Sequence, residues 1–182
     1  MLPYDKIAGV YDSVYGVEQT RKNIVAATLL DGARSLVDIG CGTGILGTLL
    51  HETEYYVCLD LSLGMLKVFR RKEMACPSDA VRADAALLPF RDGSFDGVAC
   101  ITVIHEAPRA LSEITRVVKS GGKVVLSLKK RFKVSLNLTC LEVEKVLESG
   151  GDEILLLRAA TPSDAEPTRI RGPEEREPNE ER

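Results

Sequence analysis

The chain has 182 residues, 45% of them hydrophobic and 28% charged, with a formal net charge of −3. That length predicts one domain with a sizeable core, and the composition excludes a disordered or fibrous chain. No apolar run reaches the ~20 residues that span a bilayer, the two histidines exclude a His-rich metal site, and five irregularly spaced cysteines give neither a disulfide framework nor a metal clip.

In chain order, Tyr4, Asp5, Tyr11, Asp12 and Tyr15 cluster near the start, and Val17 to Leu30 predicts a helix lying across a sheet. Met1 to Lys6 lacks the basic and apolar regions of a signal peptide, so a cytoplasmic location is expected. Strands are predicted near Ser35–Ile39, Tyr55–Asp60, Ala80–Ala83, Gly97–Ile101, Lys123–Leu128 and Glu153–Arg158. Helices fill the gaps. Ile45, Leu46, Leu49 and Leu50 predict one starting at Thr43, and Ser62 is placed to cap another beginning near Leu63. Leu111, Ile114, Val117 and Val118 recur at helical spacing over Arg109 to Val118, and Leu141, Val143, Val146 and Leu147 predict a last helix over Thr139 to Glu148. Strands alternating with helices predict an α/β fold with a mostly parallel sheet. Only one strand is expected after Leu128, so the C-terminal part of the sheet reads as minimal. From Thr161 the chain carries four prolines, seven acidic and four basic residues and no aromatics, which predicts a flexible tail over 161–182 behind a domain at 1–160. The domain itself then balances at twenty acidic and twenty basic residues, so charge alone does not make it a nucleic-acid binder.

The run Val37-Asp38-Ile39-Gly40-Cys41-Gly42-Thr43-Gly44 carries the chemistry. Three alternating glycines after a strand let the backbone turn tightly and approach a ligand without Cβ interference. A following helix offers its N-terminal amides to an anion. Such units bind nucleotides, and the choice lies between a dinucleotide and S-adenosylmethionine. Gly42-Thr43-Gly44-Ile45-Leu46-Gly47 satisfies the dinucleotide pattern, but its first glycine comes too far past the strand. Asp38 argues the other way: a carboxylate there repels a pyrophosphate and pairs with the cationic amino group of a methionine moiety. Asp60, twenty residues beyond Gly40 at the end of the next strand, stands where a carboxylate takes ribose hydroxyls. Each of these aspartates, taken singly, also reads as a turn-former or helix cap. Cys41 reads as a small residue whose backbone faces the ligand.

At these residues the chain resembles the class I S-adenosylmethionine-dependent methyltransferases, over roughly Tyr4 to Ala159. Asp38, Gly40, Gly42 and Gly44 match the family's first motif, Asp60 the acid ending the second strand, and Asp84 the acid after the third. Leu88 to Asp96 looks like the approach to the fourth strand and Lys119-Ser120-Gly121-Gly122 like the turn before the fifth, with Ser120 where the family usually has Pro. The resemblance implies a three-layer Rossmann-like fold with helices on both faces, S-adenosyl-L-methionine as cofactor and no metal. It implies cofactor contacts from Tyr11, Asp38, Gly40, Cys41, Gly42, Gly44, Asp60, Leu61, Met65, Asp84, Ala85 and Ile101. Ile7 to Asp12 is similar to the lid segment of the ubiquinone and menaquinone methylase group, which is why Tyr11 is included.

The acceptor is less legible. Ile101 to Glu106 has neither the Pro-Pro-aromatic signature of exocyclic-nitrogen methylation nor a Pro-Cys nucleophile, which leaves His105 as the one candidate base, against a reading as a packing residue. Lys129, Lys130, Arg131 and Lys133, with Arg70-Arg71-Lys72, suit phosphates, yet such runs are commonly solvated faces. A small-molecule acceptor is the leading expectation. The alternatives are an RNA methyltransferase completed by a small zinc-binding activator protein, and a scaffold that keeps the cofactor without turnover.

Overall fold

The computed structural model describes residues 3–131, 136 and 138–161. Among them, α1 spans Pro3–Ile7 and α2 Tyr11–Leu29, followed by strands β1 Ser35–Ile39 and β2 Tyr55–Asp60. Helix α3 (Leu63–Phe69), β3 (Ser78–Arg82), β4 (Phe95–Ile101) and α4 (Ala110–Val117) come next. Strands β5 (Val118–Lys129), β6 (Leu141–Ser149) and β7 (Asp152–Ala159) complete the described elements. The seven strands form one sheet in the order β3-β2-β1-β4-β5-β7-β6, with β7 antiparallel to both of its neighbours. The α/β fold class expected from the sequence is the one observed.

Strand alternation divides the core into two layers. Val37, Ile39, Val57 and Leu59 face α4, where Ala110, Leu111, Ile114 and Val117 are buried. Leu36, Tyr56 and Cys58 face the other way, against Ala26 and Leu29 of α2 and Leu66 and Phe69 of α3. Asp38 shares the parity of Leu36 and therefore points beneath α2.

Four expectations need correcting. Thr43 to Leu50 is not a helix: Gly44, at φ 75°, interrupts right-handed geometry, and only a 3₁₀ turn at Leu46–Thr48 forms. The predicted helix over Thr139 to Glu148 is strand β6. Gly150 and Gly151, at φ 58° and 81°, make a two-residue hairpin that places Ser149 opposite Asp152. That turn outweighs the apolar spacing, which suits either period. In consequence two strands, not one, follow β5 among the described residues. The cysteines also differ from expectation, because Cys41 and Cys58 form a disulfide with their Cα atoms 5.3 Å apart. Spacing could not show this; the parallel register that sets Asp38 beside Cys58 brings the pair together.

Gly151 tests the hairpin. A Cβ there meets nothing within 4 Å, so Gly151→Ala should cost only left-handed strain, about 1–2 kcal/mol. Gly151→Asn should cost about half as much, since Asn tolerates that region. Urea midpoints read both; an unchanged midpoint for Ala contradicts the turn.

A polar cluster joins α2 to the sheet. Lys22 is fully buried, with Nζ 3.0 Å from Asp152 Oδ2 and 2.6 Å from Glu18 Oε1. Asp152 also accepts from Ser127 and from Thr102. Thr102, directly after β4, is held at φ 62°, among the described residues the single non-glycine in the left-handed region.

Candidate functional site

The C-terminal ends of β1, β2 and β4 meet at the glycine run, as ligand sites do in open α/β sheets. Gly40 and Gly42 have φ 72° and 55°. The amides of Gly40 and Cys41 donate to Leu59 O, and the Gly42 amide donates to Asp60 Oδ2 at 2.9 Å. Asp60 Oδ1 accepts from the Ser62 amide at 2.7 Å, so this carboxylate ties the loop to the start of α3. Burial raises Asp60 above its ordinary range, while these amides and that of Leu61 pull it down. Ser62 caps α3 as expected, accepting from the Met65 amide.

A small cleft opens over this loop. Its floor is Asp38, Gly40, Cys41 and Gly42, one wall is Ile101, and Tyr11, Gln19 and Asn23 of α2 form the roof. Asp38 is 3% exposed; its Oδ2 accepts from the Tyr56 hydroxyl at 2.8 Å, and its Oδ1 is buried with no hydrogen-bond partner among the described residues. Burial pushes Asp38 up to about 7, opposed by the Tyr56 bond and assisted by Asp60. A buried acceptor on a residue that lines the cleft is available to a donor from outside the chain. Tyr11 stacks on Tyr15, and burial, then Asp60, raises its hydroxyl to about 12.

The N-terminal segment is fastened across the site at three points. Asp5 Oδ1 accepts from Ser62 Oγ and from the Gly64 amide, and a Cβ on Gly64 would stand 2.9 Å from Asp5 Cα. Asp12 binds Thr43 Oγ1 at 2.5 Å and Lys72 Nζ at 2.7 Å. Tyr4 donates to Glu106 Oε1 at 2.8 Å.

The other predicted positions fall as follows. Gly44, at φ 75°, packs on Phe69, which a Cβ would meet at 2.4 Å. Leu61 is exposed, whereas Met65 is on the buried face of α3 and does not line the cleft. Asp84 is exposed and accepts from the Ala86 amide, with half-buried Ala85 between them. His105 Nε2 lies 3.6 Å from Glu106 Oε1, which places His105, Glu106 and Tyr4 together on the loop after β4. Burial lowers the His105 pKa, partly offset by Glu106. The same loop leans on the glycine run: a Cβ on Gly40 would approach Val103 Cγ2 to 2.3 Å.

The basic clusters are partly neutralised. Lys130 pairs with Glu148 at 2.6 Å and Lys72 with Asp12, while Lys133 lies outside the described residues. Among the described residues no group of three or more potential metal ligands is present, and no helix is long and apolar enough to cross a membrane. Sequence reading missed Gln19, Asn23 and Tyr56. They become neighbours of Asp38 only through the packing of α2 and β2 on β1.

A methyltransferase-domain family model matches residues 37–126, which include Asp38, Asp60, Asp84 and the whole of β4. Demethylmenaquinone methyltransferase of Symbiobacterium thermophilum is 36% identical over 140 residues, covering 67% of this chain and 55% of that protein. The chain thus spans about half the length of this curated relative. Among solved structures, a Haloferax volcanii putative methyltransferase in complex with the Trm112 methyltransferase activator matches 87% of this chain and 98% of its own, with TM-score 0.66 and 17% identity. Magnesium protoporphyrin IX methyltransferase of Synechocystis PCC 6803, solved with bound S-adenosylhomocysteine, gives TM-score 0.61 at 18% identity over 80% and 84% of the two chains. At such identities these structures speak to the fold.

Proposed function

Because the chain belongs to the S-adenosylmethionine-dependent methyltransferases, we propose that residues 1–160 bind S-adenosyl-L-methionine and transfer its methyl group to a small-molecule acceptor. The observation that carries the cofactor assignment is Asp38 Oδ1, a buried acceptor without a partner at the edge of the glycine cleft. The residues fit the cofactor. Asp38 would receive its ammonium group, Asp60 its ribose hydroxyls and the turn at Asp84 and Ala85 its adenine edge. Gly40, Cys41, Gly42 and Gly44 would present backbone, while Tyr11, Leu61 and Ile101 would enclose it. Met65, on the buried face of α3, would act only by supporting that wall.

When bound, the cofactor supplies an electrophilic methyl group. The chain's contribution is alignment and exclusion of water, which can account for most of the acceleration in an in-line displacement. Residues Tyr4 to Asp12 close over the cleft through Asp5, Asp12 and Tyr4, and Ile101 and Val103 give the acceptor side an apolar wall. His105, next to Glu106, would take a proton where the nucleophile must lose one.

A small acceptor is supported by the demethylmenaquinone relative and by this closure of the N-terminal segment. An RNA acceptor with an activator partner has behind it only the fold likeness to the Haloferax protein. A cytoplasmic location is part of the proposal, and the Cys41–Cys58 bridge bears on it, since disulfides are uncommon in most cytosols. The test is incubation with methyl-labelled cofactor and separate small-molecule, protein and RNA fractions, with and without an activator protein. Label is expected in the small-molecule fraction. Its transfer should change less than about twofold between 50 and 200 mM salt and in Lys130→Ala, whereas phosphate contacts would give a steep salt dependence.

A further inference from the structure

Tyr56 sits on β2 with its ring fully buried, on the same face of the sheet as Asp38. Its placement is fixed from two sides. The ring of Phe69 lies 6.2 Å away, centroid to centroid. On the other side, the absent Cβ of Gly47 makes room, since a carbon there would stand 2.6 Å from Tyr56 Cε1. The hydroxyl donates to Asp38 Oδ2 at 2.8 Å. A tyrosine locked at one end and bonded at the other fixes the torsion of the carboxylate it holds.

We infer that Tyr56 is a positioning residue for cofactor binding: it pins Asp38 Oδ2, so that Oδ1 is left facing the cleft to receive the ammonium group of the methionine moiety. This rests on the cofactor assignment above. The titratable and charged groups facing Asp38 are Tyr56 and Asp60 from β2, Cys100 from β4 and Tyr11 from α2. Within that set the Tyr56 bond favours the ionised carboxylate, whereas burial and Asp60 oppose it. Tyr56 therefore sets both the direction of the carboxylate and the pH below which it stops attracting a cation.

The sign follows. Ammonium binding needs ionised Asp38, so cofactor affinity should fall as pH drops below about 7. Tyr56→Phe removes the bond that lowers this value, so the limb should move to higher pH. Affinity should drop about tenfold at pH 6.5 but only about threefold at pH 7.5, on a one-unit displacement. Above that, the cofactor's own amino group titrates near 7.7–8.0 in both proteins, so calorimetry between pH 5.5 and 7.5 is the informative range.

The control ligand is 5′-methylthioadenosine, which keeps the nucleoside and lacks the amino-acid portion; its binding should show no limb and no change in Tyr56→Phe. Should Tyr56→Phe not fold, Gly47→Ala, which pushes a methyl group against the ring, should displace the limb the same way. A loss of affinity equal for the cofactor and for 5′-methylthioadenosine, or a profile coinciding with wild type, overturns the inference alone. Failure of both compounds to bind the wild-type protein overturns the cofactor assignment and the inference together.

Discussion

An Asp38→Asn variant is expected to melt at a higher temperature than the wild-type protein at pH 8, and to bind S-adenosylmethionine about tenfold to a hundredfold more weakly. The weaker binding follows from losing a charge-assisted hydrogen bond, about 1.5–3 kcal/mol. The gain in stability follows from the buried carboxyl. Its folded-state value, about 7, lies above the unfolded value, so the fold favours the protonated form. As pH climbs from the unfolded value through 7, ionising Asp38 costs the native state stability, up to roughly 4 kcal/mol. Asparagine carries no such charge but buries an amide with an unmet donor, at about 1–3 kcal/mol. The net is a gain of roughly 1–3 kcal/mol at pH 8, or several degrees in melting temperature. At pH 5 the wild-type side chain is protonated, and the advantage should vanish. Thermal melts at both pH values check this; an equal shift at both would mean that Asp38 is not perturbed.

Lys22→Ala should be the most damaging single change to the fold. Lys22 is fully buried and Asp152 is 1% exposed, so removing the ammonium strands a carboxylate away from solvent. Breaking one side of a buried pair costs about 3–5 kcal/mol, which for a domain of this size is roughly ten degrees or more of melting temperature. Glu18 cannot compensate, being itself acidic. Lys22→Met combined with Asp152→Asn should recover most of the loss, since the methylene stem is kept and no charge is left unpaired while Ser127 and Thr102 keep an acceptor. A single-variant loss below about 1 kcal/mol would show the ion pair to be absent.

The sheet up to β5 was legible because buried parallel strands are short apolar runs, each bounded by a charged or glycine residue: Tyr55 to Asp60 and Gly97 to Ile101 read unambiguously. The hairpin was not, because Val143, Val146 and Leu147 suit a helix face as well as a strand, and the Gly150-Gly151 turn had to arbitrate. The short 3₁₀ turn after Gly44 eluded a reading that weighed Leu46, Leu49 and Leu50 without the backbone geometry of the glycine. At the site, Asp38 and Asp60 were legible from their offsets to the glycines. Tyr56, Gln19, Asn23 and the Cys41–Cys58 bridge were not. Gln19 and Asn23 reach the cleft, and Tyr56 and Cys58 reach Asp38 and Cys41 beneath it, from elements whose contact is decided by packing, not by spacing along the chain.

Position 40 is closed to other residues twice over, by its positive φ and by Val103 resting against its α-carbon. Under the proposed function, the cofactor's floor and the acceptor's wall are therefore two sides of one contact, with no spacer between them. Anyone enlarging the acceptor side by trimming Val103 would also unseat the glycine turn beneath it. Under the proposed function, selectivity for the methyl recipient and grip on the methyl donor are therefore coupled in this chain, and variants selected for a new recipient are expected to carry a change in donor affinity with them.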